Sequence, residues 1–164
     1  MSRPPPTFAA DAMLGSLARW MRLLGYDCTY SRDAQDDDLV AVSRSEARIV
    51  LTRDRRVAAR AARAVFVPPG SLDDELAAVF GALAIVPPDE PPAVRCSVCN
   101  ALLERATQVA EGTVPARVAE LRLDIWRCPG CNRHYWRGTH VESMALRLRR
   151  IRERLARERP EARP

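Results

Sequence analysis

The seven residues RIVLTRD (48–54) contain the clearest strand of the chain and an acidic side chain just beyond it. Ile49, Val50 and Leu51 form an unbroken apolar run, which is typical of a strand buried on both faces of a parallel sheet. Asp54 follows the predicted strand after one intervening residue. In open α/β sheets the ligand crevice lies beyond the carboxyl ends of the strands. The stretch therefore predicts an α/β fold with a parallel sheet, and it makes Asp54 a candidate site residue.

Short apolar runs alternate with helical patterns on both sides of this strand. The further predicted strands are residues 7–10, 27–30 and 64–67, and the predicted helices are residues 13–24, 36–46, 55–63 and 71–83. Gly25 suits a left-handed C-cap, and Ser71 precedes three acidic residues and suits an N-cap. This alternation predicts a three-layer α/β domain with a mainly parallel sheet over residues 7–85.

Acidic residues cluster where such a topology places the carboxyl ends of the strands. Asp11 follows the first predicted strand, Asp36, Asp37 and Asp38 open the second helix, and Asp54 follows RIVLT. Carboxylates gathered at one edge repel each other unless a cation neutralises them, and hard oxygen ligands favour Mg²⁺ or Mn²⁺. The same side chains also suit helix caps, and the spacing leaves both interpretations open.

The composition excludes several other chemistries. The 164 residues include 26 basic side chains, all of them arginine, against 21 acidic ones, which gives a net charge of +5. Without lysine, the chain contains neither a Walker P-loop nor a Schiff-base nucleophile. With two histidines and no G-x-S-x-G elbow, the sequence does not indicate a serine hydrolase.

Four of the five cysteines form two closely spaced pairs, Cys96 with Cys99 and Cys128 with Cys131. Two C-x-x-C knuckles supply the four thiolates of a closed, structural Zn²⁺ site. The pairs predict a small zinc ribbon over residues 95–140, with an extra hairpin or short helix in the 28 residues between them. Cys28 stands apart in a strand pattern and is interpreted as a buried apolar residue.

The basic residues are concentrated in the second part of the chain. Residues 1–92 carry 11 arginines and 13 acidic residues, whereas residues 93–164 carry 15 arginines and 8 acidic residues. Residues 86–94 are proline-rich and are predicted to be a linker, because proline continues neither a helix nor a central strand. Loss of the zinc site is accordingly expected to unfold only the part beyond this linker.

The last predicted helix, residues 141–158, combines an apolar stripe with an arginine-rich remainder. The stripe consists of Val141, Met144, Leu148, Ile151 and Leu155. It is expected to pack on the body of the protein or on a protein partner. The arginines suit a phosphate backbone, and equally a solvated face.

Aromatic and cationic residues stand together in YWRGTH (135–140). Trp136, Arg137 and His140 combine stacking surfaces with hydrogen-bond donors, which single-stranded nucleic acid favours. With Arg53, they are the predicted nucleic-acid contacts. The aromatic residues also suit the small core of a zinc ribbon, and this alternative stays open.

Several strings together resemble the Mut-seven C-terminal RNase family. They are FAADAMLGSLARWMRLLGYD (8–27), SRDAQDDDLVAVSRSEARIVLTRD (31–54), the two C-x-x-C pairs and HYWRGTH (134–140). The resemblance implies a PIN-like nuclease domain followed by a zinc ribbon. It implies that Asp11, Asp36 or Asp37, and Asp54 hold Mg²⁺ or Mn²⁺. Of the two alternatives we expect Asp36 to be the ligand and Asp37 to assist. Gln35 stands where the family pattern has another acid.

The sequence therefore predicts a metal-dependent ribonuclease that cleaves RNA at the acidic edge and holds it through the zinc ribbon. The alternative is a catalytically silent zinc-ribbon module that binds RNA or a protein. Gln35 favours this alternative, whereas Asp11 and Asp54 favour the enzyme. A nuclease silenced by an antitoxin is a third hypothesis. No segment reaches the roughly 18 to 20 apolar residues of a membrane span, so we expect a cytoplasmic protein without a membrane partner.

Overall fold

The computed structural model describes residues 4–108, 110, 112–121 and 123–158. The strands are β1 (Phe8–Ala10), β2 (Cys28–Tyr30), β3 (Ile49–Thr52), β4 (Ala64–Phe66), β5 (Glu104–Arg105), β6 (Ile125–Arg127) and β7 (His134–Trp136). The helices are α1 (Gly15–Leu23), α2 (Asp36–Ser45), α3 (Arg55–Arg60), α4 (Leu72–Ala82), α5 (Ala116–Glu120) and α6 (Thr139–Glu158). A 3₁₀ turn, Ala12–Leu14, precedes α1.

The first four strands form a parallel sheet in the order β2–β1–β3–β4. The chain winds from β1 outward to β2 and then returns to the other side of β1 to form β3. The winding direction therefore reverses between β1 and β3. This is the topological switch point, where open parallel sheets bind their ligands beyond the carboxyl ends of the strands.

Helices cover both faces of the parallel sheet. Leu51 packs with α1 and α4 in the larger core, whereas Val50 packs with α2 and α3 in a smaller one. Successive residues of a strand point to opposite faces, so this apolar run is buried on both sides. The predicted three-layer α/β fold with a parallel sheet is confirmed.

Local signals set several helix ends as expected. Gly25 has a φ of 89° directly beyond α1, and Ser71 and Asp74 form a capping box at the start of α4. Helix α3 is shorter than predicted and ends at Arg60. The reason is a tertiary bond, because the Ala62 amide donates to Ser43 Oγ of α2 at 3.0 Å and is not part of the helix.

The ribbon has its own antiparallel sheet and a small core. Its strands are ordered β5–β6–β7, and α5 lies between the two cysteine pairs, where an extra element was expected. Trp136 packs against Val114, Val118 and Ile125. This packing agrees with the interpretation of the tryptophan as a ribbon-core residue. Residues 86–94, the predicted linker, contain neither helix nor strand.

Helix α6 packs its apolar stripe against the parallel-sheet domain. Leu148 and Ile151 are buried in the larger core, and Leu155 packs at its border. The apolar stripe therefore packs within the chain, which is one of the two alternatives predicted from the sequence. Among the described residues, no helix is both long and apolar enough to cross a bilayer.

We predict that Leu148→Ala destabilises the whole chain. Truncation leaves a cavity in the larger core and should lower the free energy of unfolding by about 2–5 kcal/mol. Leu146→Ala is the matched control, since Leu146 is exposed on the same helix and its loss should change stability by about 0.5 kcal/mol or less. Urea unfolding followed by circular dichroism measures both. Equal effects would contradict the docking of α6.

Candidate functional site

Asp11 and Asp54 lie beyond the two strands that flank the switch point. A single hydroxyl joins them: Thr52 Oγ1 donates to Asp11 Oδ2 at 2.7 Å and accepts the Asp54 amide at 2.9 Å. Because the amide supplies the proton of the second bond, the one hydroxyl proton of Thr52 points at Asp11. The fully buried Thr52 therefore fixes both acids relative to the sheet.

Both acids also cap the element that follows them. Asp11 Oδ1 accepts the Met13 amide at 3.4 Å. Asp54 Oδ1 accepts the amides of Arg56 and Val57 at 2.6 and 3.3 Å. The cap interpretation thus holds for these two residues. The described bonds of Asp54 all use Oδ1, which leaves Oδ2 available as a cation ligand.

The three acids that open α2 are exposed and face different spaces. Asp36 and Asp37 line an open cavity of about 320 Å³ with Arg60, whose guanidinium donates to Asp37. Asp38 lines another cavity of about 240 Å³ above the ends of β1 and β2. The N-cap residue of α2 is Gln35, so none of the three acids takes the capping position itself.

The structure brings the predicted acidic ligands together only in part. Asp11 and Asp54 are linked through Thr52, whereas Asp36 opens α2 and lines a cavity that neither of these two acids lines. Within the described ranges, the four cysteines are the one group of three or more Cys, His, Asp or Glu residues whose ligand atoms all lie within 4.8 Å of one another.

Glu75 is a buried carboxylate that the sequence reasoning did not single out. It accepts a hydrogen bond from Arg53 at the carboxyl edge of β3. Arg53, a predicted RNA contact, is therefore the ion-pair partner of a buried acid. The sequence spacing could have indicated that Glu75 is buried, because Glu75 lies four residues before the buried Val79 and hence on the same face of α4.

Four thiol groups converge between the two knuckles. Cys96 Sγ lies 3.5 Å from Cys131 Sγ, and Cys99 Sγ lies 3.3 Å from Cys128 Sγ. Zn–S bonds of about 2.3 Å in a tetrahedron require S–S separations of about 3.8 Å, so zinc fits after a small expansion. The site would be closed and structural, because the four thiolates fill every position.

The two knuckles close in the same way. Asn100 and Asn132 follow the second cysteine of each pair with φ values of 71° and 58°, a conformation that asparagine tolerates well. Their amides donate to the carbonyls of Cys96 and Cys128 at 3.0 and 2.9 Å. Each pair of thiols is thereby turned toward the other pair.

The surroundings of Cys96 favour a thiolate. Burial alone would raise the pKa of its thiol, but hydrogen bonds from the Tyr135 hydroxyl and from the amides of Cys99 and Val98 lower the pKa to about 6. The same bonds would stabilise a thiolate bound to a cation.

Trp136, Arg137 and His140 line a narrow cavity of about 50 Å³ with Leu23 of α1. The Trp136 and His140 rings meet edge to face with centroids 6.5 Å apart, and Arg137 is paired with Glu90. Helix α1 leads from the carboxyl end of β1 to the amino end of β2, so this cavity lies at the amino edge of the sheet.

The four predicted RNA contacts are consequently not in one place. Arg53 lies at the carboxyl edge of the parallel sheet, while Trp136, Arg137 and His140 lie near its amino edge. A strand of RNA that touched all four would have to run along the domain.

Most arginines of α6 are paired with acids. These ion pairs hold the helix to α4 and to the proline-rich segment, or run along the helix itself. They are Arg147–Asp73, Arg152–Asp89, Arg154–Asp74 and Arg149–Glu153, with N–O distances of 2.8, 2.9, 2.6 and 3.1 Å. Much of the basic charge predicted for RNA is thus compensated within the chain.

A family model described as the Mut7-C RNAse domain matches residues 6–148. The chain belongs to this family. Membership indicates a ribonuclease whose substrate is RNA. No curated protein and no solved structure matches the chain. The matched segment of the Mut7-C domain includes Asp11, Asp54 and all four ribbon cysteines, so the parallel sheet and the ribbon belong to one family unit.

The Mut7-C domain is expected to carry about one zinc per chain, because it has one set of four converging thiols. Cys128→Ser should lose most of this zinc. Cys28→Ala is the control, since burial raises the pKa of Cys28 to about 12 and this thiol lies outside the cluster. Elemental analysis of the purified proteins measures the content. A well-folded, metal-free wild type would contradict the zinc assignment.

Proposed function

We propose that this chain is a PIN-like, metal-dependent ribonuclease that hydrolyses phosphodiester bonds of single-stranded RNA at the carboxyl edge of its parallel sheet. The Asp11–Thr52–Asp54 arrangement at the switch point is the observation that supports this most strongly. It stands at the position where open α/β sheets bind ligands, within a Mut7-C domain.

The carboxylates at this edge fit a hard cation. Asp11 is 9% exposed, and in the described part of the chain its partners are a hydroxyl and an amide, with no ion pair. A buried carboxylate with neutral partners is stabilised by a cation bound to it. Asp11 and Asp54 would hold Mg²⁺ or Mn²⁺ through carboxylate oxygens, which are the ligands these ions prefer. Asp36 would join them as a third ligand through a shift of the start of α2 toward the ion.

The protein's part in the reaction is to hold these groups in place. A bound ion would supply an activated water and stabilise the departing oxygen. Thr52 orients Asp11, and the two amide bonds at Oδ1 orient Asp54. Asp37 is 83% exposed, so its ion pair with Arg60 is weak and readily broken. The released carboxylate would then orient the attacking water. A water that attacked the phosphorus and displaced the 3′ oxygen would leave a 5′-phosphate and a 3′-hydroxyl.

The ribbon is the proposed RNA-holding part. Trp136 and His140 place two aromatic rings beside the Arg137 guanidinium, a combination that suits single-stranded RNA. Arg137 and Glu90 are both about half exposed, so a phosphate can replace the glutamate. A protein partner would bind the outward face of α6, because Leu148 and Ile151 at the centre of the apolar stripe are buried. Free cysteines suit a reducing compartment, which supports a cytoplasmic location.

Cleavage of a labelled single-stranded RNA pool with Mn²⁺, with Mg²⁺ and with chelator tests the proposal. Wild type should cut only with metal, and Asp54→Asn should cut about 100-fold less or worse, because one charged ligand is lost. Asp89→Asn is the matched control, since Asp89 lies in the proline-rich segment and should leave the rate unchanged. Equal cutting by wild type and Asp54→Asn would contradict the site. Salt-sensitive binding without cutting would favour the silent binding module.

Thr52 offers a finer test of the same site. Thr52→Val keeps the shape but removes the hydroxyl that orients Asp11, and we expect activity to fall about 10–100-fold with a higher metal requirement. Thr52→Ser keeps the hydroxyl and should retain activity within a few-fold. Metal titrations of the cleavage rate, with melting curves to verify folding, distinguish the variants. A fully active Thr52→Val would remove the positioning role.

A further inference from the structure

We propose that the zinc site formed by the four ribbon cysteines and the parallel-sheet domain form one cooperative unit, in which release of zinc from the ribbon loosens the edge strand β2. This inference goes beyond the proposed ribonuclease activity and does not depend on it. It rests on the contacts between the first knuckle, residues 96–100, and the amino edge of the parallel sheet.

Arg22 is the most buried of these contacts. Its side chain belongs to α1, is 6% exposed, and donates through Nε to the Cys28 carbonyl at 2.7 Å. Its Nη1 donates to the carbonyls of Val98 and Ser97 at 2.7 and 3.4 Å. Both of these carbonyls lie between the two cysteines of the first knuckle.

The knuckle is therefore needed to satisfy this buried guanidinium. In the described part of the chain, no carboxylate lies within ion-pair distance of Arg22, and two of its three acceptors come from the knuckle. If the knuckle became disordered, a buried cation would lose most of its partners, which is strongly unfavourable. Order in the knuckle and burial of Arg22 are accordingly linked.

Asn100 makes the second contact, at the open edge of the sheet. Its Oδ1 accepts the Cys28 amide at 3.2 Å, and its Nδ2 donates to Asp27 Oδ1 at 2.9 Å. Strand β2 is the outermost strand and pairs only with β1 on its other side. The asparagine thus occupies an edge amide that would otherwise be open to water or to another strand.

Asp27 joins this contact to the rest of the amino edge. Arg48, just before β3, donates to it at 2.7 Å, and Arg95, just before the first knuckle cysteine, lies 3.6 Å away. Burial would raise the pKa of Asp27, but hydrogen bonds from Arg48 and Asn100 and the charges of Arg48 and Arg95 lower it. The carboxylate therefore stays charged and connects both domains.

Zinc enters because the first knuckle supplies two of the four converging thiols. Its five residues form a turn without a core of their own, held by the contacts with Arg22 and β2 and by the Tyr135 hydroxyl, which accepts the Ser97 amide at 3.1 Å. Zinc binding orders such turns, and binding energy at a site of this kind is folding energy. Loss of the ion would release the acceptors of Arg22 and the cap on Cys28 together.

Loosening of β2 would reach the carboxyl edge of the sheet through β1. If β2 loosens, β1 loses its neighbour on one side, and Asp11 follows β1 directly. A zinc ion at the amino edge would thereby control order at the carboxyl edge without contacting it. The sequence-based expectation that zinc loss spares the first part of the chain is the opposite outcome, and the experiment below distinguishes the two.

Hydrogen exchange on the full-length chain tests the coupling. Exchange is compared at β2 and at β4, the opposite edge strand, in zinc-loaded protein and after zinc removal with a strong chelator. We expect protection of the Cys28 amide to fall at least about 10-fold on zinc removal, and to fall more than that of β4. Unchanged protection at β2, with exchange confined to the ribbon, would overturn the proposal.

Two matched variants separate the contact from general loosening of the ribbon. Asn100→Gly and Asn132→Gly each remove an asparagine side chain from equivalent positive-φ positions, where glycine is unstrained. Asn132 bonds Arg127 within the ribbon and makes no described contact with the parallel-sheet domain. With one zinc retained in both, only Asn100→Gly should lower protection at β2. Equal loss in the two variants, or no loss in Asn100→Gly, would overturn the proposal.

Discussion

The parallel pairing of β1 with β3 is the constraint on which the candidate site depends. It sets two strand ends side by side at the one place where the winding of the chain reverses. The Thr52 hydroxyl then links the acid after one strand to the backbone after the other. Neither acid is positioned by a flexible loop, because each is also bonded to the first amides of the element that follows it. The site is a direct consequence of strand order.

The two edges of the parallel sheet carry different chemistry. Carboxylates that suit a hard cation stand at the carboxyl edge, and the amino edge is bound by a knuckle whose two thiols suit zinc. Each edge buries one charged group whose described partners are neutral: Asp11 at one and Arg22 at the other. A cation at the first edge and an ordered knuckle at the second would stabilise these charges. On the proposed account, metal binding and folding would be linked at both ends of the sheet.

The parts of the fold that local pattern controls could be predicted from the sequence. Val50 and Leu51 indicated a strand buried on both faces, and the cysteine spacing indicated the thiol cluster. Contacts between distant residues leave no such pattern. Arg53 was predicted to contact RNA. Its ion pair with Glu75 could not be predicted, because Glu75 lies 22 residues further along the chain. Arg22 gave no sign that it reaches Val98, 76 residues further along the chain.

Anomalous diffraction from crystals grown with Mn²⁺ tests the central claim, that hard and soft metal sites stand at opposite edges of one sheet. Data collected at the zinc and manganese absorption edges distinguish the two ions. The account predicts a zinc peak among the four Sγ atoms and a manganese peak contacting Asp11 and Asp54. Manganese bound elsewhere, with the Asp11–Thr52–Asp54 arrangement intact and empty, would contradict it.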